Sequence, residues 1–169
     1  MITVTSAEAA KILQKLNDER NALLEREDQL AWFLCASTED PEANRPEYDM
    51  AEYHEKLRDL EAKIRAVKHA INVFNMTHEV EGLSMTIDQV LVYIPQLSEQ
   101  KRYLRAKAQS MPKERQDTMN SPIIDYRYAN FDPADARTEY DRVSSLLAKA
   151  QLGLDKVNQT QTMEIDITL

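Results

Sequence analysis

The chain has 169 residues and only 2 glycines, so it cannot carry a Gly-rich phosphate loop or a dinucleotide-binding turn, both of which need several glycines for close backbone approach. Its 1 cysteine excludes an internal disulfide framework and any Cys-based zinc or iron–sulfur cluster within one chain. Cations are outnumbered, 21 against 29, and a net charge of −8 argues against a dedicated binder of nucleic-acid polymers, which needs a basic surface. No unbroken apolar run, Val90–Ile94 included, approaches the roughly 20 residues a membrane span requires. No basic segment followed by an apolar one marks the N-terminus as a secretory signal. With one unpaired cysteine, the expected setting is reducing and cytoplasmic, without a membrane partner.

What the chain does have is helical periodicity. Apolar residues make up 43 % and charged residues 30 %, enough of the former for one sizeable core. Thr5 and Glu8 read as a capping box for a first helix, with a heptad-like row at Leu13, Leu16, Leu23, Leu30 and Leu34 that Arg20 and Glu27 interrupt. The turn chemistry of Ser37-Thr38-Glu39-Asp40-Pro41 predicts its end near Ala36. A second helix, with Pro46 in its first turn, carries the cleanest seam: Tyr53, Leu57, Leu60, Ile64, Val67, Ile71 and Phe74. This strict four-three alternation is that of a coiled coil.

His78–Ser84 predicts a short hairpin, with Gly82 supplying a positive φ. Thr86 and Gln89 read as a second capping box. The third helix has its seam at Ile87, Val90, Ile94, Leu97, Lys101, Leu104, Ala108 and Met111, with Pro95 inside it. After a polar connection over 112–120, Ile123–Phe131 alternates as a strand with Ile124, Tyr126 and Tyr128 on one face. Asp132-Pro133 starts a fourth helix with Ala136, Tyr140, Val143, Leu147, Ala150, Leu154 and Val157 inward. The tail from Met163 and the start at Ile2 and Val4 alternate as strands; they are expected to join the Ile123–Phe131 strand in one small antiparallel sheet.

The expected fold is therefore mainly α with a small antiparallel β-sheet: a long antiparallel, coiled-coil-like helical hairpin plus two further helices. It forms a single α-rich oligomerisation domain over 1–169, with the hairpin in 1–76 and two helices with short strands in 77–169.

Ile71-Asn72 and Asn75 end a long helix, Gly82 makes a turn and Thr86-Ile87-Asp88 starts the next helix. In these features helices two and three resemble a family of short, uncharacterised bacterial and phage helical proteins, some labelled septicolysin. The resemblance extends to Asp40-Pro41 between the first two helices, and to Leu154-Asp155 with Gln159 near the end of the last. The chain departs from that pattern at Tyr93-Ile94-Pro95, where the family has basic residues, and in its strand-like tail. The resemblance implies a helical, oligomeric protein and no mechanism.

No grouping of catalytic type stands out. His54, His69 and His78 lack both the Glu-x-x-His pattern of di-iron bundles and zincin spacing, so no metal and no cofactor is expected. Cys35 has no base placed beside it, and the carboxylates are scattered, so the chain reads as non-enzymatic. Two groups suit a small anionic or nucleotide-like ligand. Arg65, His69, Asn72 and Asn75, with Lys68, form a polar stripe able to grip a phosphate or carboxylate; on a plain reading they are a solvated face and a helix end. Tyr126, Arg127 and Tyr128 combine stacking rings with a cation; on a plain reading the tyrosines pack on the helices and Arg127 faces water.

The leading expectation is a non-catalytic homo-oligomer acting as scaffold or binding module, in which Leu57, Leu60, Ile64, Val67 and Ile71 form the seam that sister copies or the core must cover. The alternative is sequestration of a small anionic or nucleotide-like ligand, such as a signalling nucleotide of anti-phage immunity, at subunit junctions.

Overall fold

The computed structural model describes residues 1–116 and 123–168. It is mainly α with small antiparallel two-stranded sheets, in the order β1 (Ile2–Thr5), α1 (Ser6–Ala31), α2 (Pro41–Asn44), α3 (Met50–Thr77), β2 (Glu79–Val80), β3 (Met85–Thr86), α4 (Ile87–Ala108), β4 (Lys113–Gln116), β5 (Asp125–Tyr128), α5 (Pro133–Thr160) and β6 (Thr162–Ile165). Two compact units result, one from Met1–Asn75 with Asn158–Leu169, the other from Met76–Val157.

In the first unit the capping box forms as expected. The Glu8 amide donates to Thr5 Oγ1 at 3.2 Å and the Thr5 amide to Glu8 Oε2 at 2.8 Å, so two orphan donors of α1 are satisfied. The helix stops at Ala31, short of the expected Ala36, because Trp32 turns extended at φ −131°. The polar loop holds one short helical turn, α2, where the Asp40 side chain accepts from the Glu42 amide at 3.0 Å. Pro46 does not start the next helix. Asp49 does, its carboxylate accepting from the amides of Ala51 at 2.8 Å and Glu52 at 3.2 Å.

Helices α1 and α3 run antiparallel. Arg20 meets Glu61, Leu23 meets Leu57, and Glu27 lies by Tyr53, so numbers fall along α3 as they rise along α1. The α3 seam faces inward at every expected position: Ile64, Val67 and Phe74 are buried, and Tyr53, Leu57, Leu60 and Ile71 half-buried. The charged residues of the α1 row find polar partners. Arg20 pairs with Glu61 at 3.3 Å, and Glu27 accepts from the Tyr48 hydroxyl at 2.5 Å. Strands β1 and β6 close the unit, with Ile2 opposite Ile165 and Val4 opposite Met163. Met163, Ile165 and Ile167 are buried on every second residue, as the alternation of the tail requires.

In the second unit β2 and β3 pair through Val80 and Met85, and Gly82 takes φ +78° in the turn. Thr86 and Gln89 form the second capping box at the start of α4. The helix runs through Pro95, which lacks the amide that would reach back to residue 91. Ile87, Val90, Leu97 and Ala108 are buried, whereas Met111, beyond the helix end, is exposed. Asp132 caps α5, its carboxylate accepting from the Ala134 amide at 2.8 Å. Ala136, Val143, Leu147, Ala150 and Val157 are its buried row. Helices α4 and α5 are also antiparallel neighbours, Lys101 lying over the Tyr140 ring at 5.8 Å and Arg105 near Arg137.

The expected single sheet does not form. The termini pair with each other, and β5 pairs instead with β4, which arises from the stretch expected to be a polar connection; the rest of that connection, 117–120, lies outside the described residues. The strand is also shorter than the expected Ile123–Phe131. The register places Lys113 opposite Tyr128, Glu114 opposite Arg127 and Arg115 opposite Tyr126.

Candidate functional site

The polar stripe lies on α3. Arg65, His69 and Asn72 are exposed and Asn75 is half-buried, and their side chains make no hydrogen bond or ion pair among the described residues. Nothing on α3 itself folds over them: they form an open helical face.

Tyr126, Arg127 and Tyr128 lie in the second unit, on β5. Here the plain reading of the tyrosines is corrected. Tyr126 is 45 % and Tyr128 64 % exposed, so neither packs into a core. The ribbon has only two strands, its tyrosine face stays exposed among the described residues, and the rings take a cation instead. Lys113 Nζ lies 3.9 Å from the Tyr126 ring centre and 5.3 Å from that of Tyr128, the two rings being 6.5 Å apart. Alternation sends Arg127, with its cross-strand neighbour Glu114, to the opposite face.

That opposite face closes one side of a cleft of about 500 Å³ against the C-terminal turn of α4. Lys107, Gln109 and Ser110 come from the end of α4, Glu114 and Arg127 from the ribbon, and Tyr128–Phe131 from the chain leading to α5. The local fold is built by the α4 end: the Ser110 amide and hydroxyl both donate to the Lys107 carbonyl, at 3.2 and 2.8 Å, and the Ala129 amide donates to the Pro112 carbonyl at 3.0 Å. Lys107 Nζ sits 4.3 Å from the Tyr103 ring centre and 5.5 Å from that of Phe131. Its ammonium, hydrogen-bonded to the Tyr103 phenol, holds that phenol below its usual range. A smaller cleft of about 160 Å³, lined by Arg105, Gln109, Arg137, Tyr140 and Asp141, adjoins it at Gln109.

Sequence reasoning found Arg127 and Tyr128 but missed Lys107 and Phe131. The signal was available as a charge count: Lys101–Gln116 holds six cations and one carboxylate in a chain of net charge −8.

The first unit has a different feature. From Glu19 to Ala31 and from Met50 to Leu60 no residue is buried, although Leu23, Leu24, Leu30, Tyr53, Leu57 and Leu60 all point along the α1–α3 seam and are half-buried. A groove of about 410 Å³ is floored by Ala22, Leu23 and Leu60 and rimmed by Glu19, Arg26, Lys56 and Asp59. Past the end of α1, Trp32 is 81 % and Leu34 101 % exposed. On the far side of the seam, Tyr48 is held by Glu27; that hydrogen bond, with burial, pushes the phenol up to about 12.

Among the described residues no group of three or more His, Cys, Asp or Glu side chains is arranged to hold a metal ion. No described helix is long and apolar enough to cross a membrane.

No family model matches the chain, and no curated protein matches it either. The fold is similar to a solved crystal structure of a functionally unknown conserved protein from Corynebacterium diphtheriae, with a TM-score of 0.58 and 16 % identity over 96 % of this chain and 100 % of that one. At that identity the likeness is one of fold alone.

Proposed function

We propose that this chain is a non-catalytic, self-associating helical protein that acts as a scaffold or binding module, its copies joining through the open half of the α1–α3 hairpin. The observation that carries this is the row of six half-buried seam residues between Leu23 and Leu30 on α1 and between Tyr53 and Leu60 on α3. Full burial of a large apolar side chain is worth about 1.5–3 kcal/mol, so leaving six of them half-covered forgoes on the order of 5 kcal/mol. That compares with a typical net stability of about 5–15 kcal/mol, and two helices alone have no third element to supply the cover. A second hairpin does supply it, making a four-helix arrangement.

The groove rim favours a copy of the same chain over an unlike partner. Glu19 and Asp59 balance Arg26 and Lys56, so the rim is neutral and carries both signs. Under a two-fold axis such a patch can meet itself, cation to carboxylate, around the apolar floor.

Sedimentation velocity over a concentration series tests the reading. The expected result is a mass that is a multiple of 19.5 kDa at high concentration, reduced to a single chain by the double substitution Leu23→Asp and Leu60→Asp. A folded 19.5 kDa species at every concentration overturns it.

A further inference from the structure

The cations at the end of α4 have a partial explanation in the helix itself. Arg105 and Lys107 lie in its last turn, where the unpaired carbonyls present partial negative charge. Arg127 has no such duty. It comes from β5, lines the 500 Å³ cleft, and makes no hydrogen bond or ion pair among the described residues; Glu114, opposite it in register, does not close on it as an ion pair. A guanidinium left open beside a second cation, Lys107, in a concave site is arranged for an anion with several acceptor oxygens.

The walls add a second requirement. Phe131, 41 % exposed, lines the cleft, so one aromatic surface is left uncovered with Lys107 Nζ 5.5 Å from its ring centre. An exposed ring beside two cations suits a ligand that has a flat π-face at one end and a phosphate at the other. The cleft volume falls within the roughly 300–1,000 Å³ usual for small-molecule sites. Glu114 works against a bare anion but can accept from a sugar hydroxyl or an exocyclic amine.

We infer that the cleft between the α4 end and the β4–β5 ribbon binds a nucleoside 5′-phosphate, the base against Phe131 and the phosphate between Lys107 and Arg127. This site is confined to the second unit, so its failure leaves self-association through α1 and α3 untouched.

Isothermal titration calorimetry with the four ribonucleoside 5′-monophosphates, inorganic phosphate and a thymidine decanucleotide tests it. At least one mononucleotide is expected to bind with a dissociation constant below about 1 mM. Arg127→Ala, an exposed position, is expected to weaken that binding about tenfold or more with an unchanged far-ultraviolet circular dichroism spectrum. Phe131→Leu weakens the mononucleotide while leaving the weaker binding of inorganic phosphate unchanged. The inference is overturned if no mononucleotide binds, if Arg127→Ala binds as well as the parent, if inorganic phosphate binds as tightly as the nucleotides, or if only the decanucleotide binds, which would assign the face to single-stranded nucleic acid.

Discussion

Gly153 lies inside α5, where glycine is an unfavourable choice by about 1 kcal/mol relative to alanine. Taken alone, Gly153→Ala should stabilise the protein by that amount. The structure predicts the opposite. A Cβ built at Gly153 would lie 2.6 Å from Val80 Cγ1, closer than real contacts allow, and Val80 is 1 % exposed on the β2–β3 hairpin, with no free space to retreat into. Overpacking of a buried contact costs about 1–3 kcal/mol. The two effects leave a net destabilisation of up to about 2 kcal/mol. The decisive measurement is a double-mutant cycle by urea denaturation at one protein concentration. In the Val80→Ala background the obstructing methyl is gone, so adding Gly153→Ala should raise stability by about 1 kcal/mol and partly refill the cavity. A change of sign between the two backgrounds, with a coupling of about 1–3 kcal/mol, is the expected signature. If Gly153→Ala stabilises both backgrounds equally, the hairpin does not pack on α5 at that glycine and the reasoning fails.

Two further outcomes concern titration. Glu8 is held below its ordinary value of 4.5 chiefly by the Thr5 amide and then by the Thr5 hydroxyl; the stability it contributes is therefore present above that value and lost as pH falls through its folded midpoint. Carboxyl-carbon NMR should place the Glu8 midpoint below 4.5 and bring it closer to that value in Thr5→Ala, where only the amide remains; a parent midpoint at or above 4.5 would contradict the capping box. Tyr48, raised to about 12 by its hydrogen bond to Glu27, should stay protonated in an ultraviolet titration as other tyrosines ionise. The unfolded chain ionises it near 10, so that contribution is lost as pH rises through about 12, and Glu27→Gln should lower its midpoint; a Tyr48 midpoint near 10 in the parent would show the contact to be absent.

Much of this protein was legible along the chain because its signals are short-range. The Thr5 and Thr86 capping boxes, the Asp132 cap and the Gly82 turn each involve residues within four of one another, and all form as expected. The seam of α3 was equally readable, since a four-three row on a helix must face one way. Less was legible at the candidate site. Arg127 and Tyr128 drew notice as an aromatic–basic strand, but the residues that complete the cleft, Lys107 and Phe131, precede and follow them on other elements. Asp49 was passed over as a cap because Pro46, a strong helix-start signal, stood three residues before it.

Composition and periodicity alone determined that the chain would be mainly helical, with amphipathic rods started by side-chain caps, and that it would lack the glycine and cysteine that common cofactor folds require. Only the tertiary structure decided which strands pair, that Tyr126 and Tyr128 stay in contact with water, and that Gly153 marks the close approach of a hairpin to a helix. The difference is one of range. A cap or a seam is a free-energy preference among neighbouring residues, whereas strand partnership and close approach depend on residues up to 163 positions apart, such as Ile2 and Ile165, whose meeting no local pattern encodes.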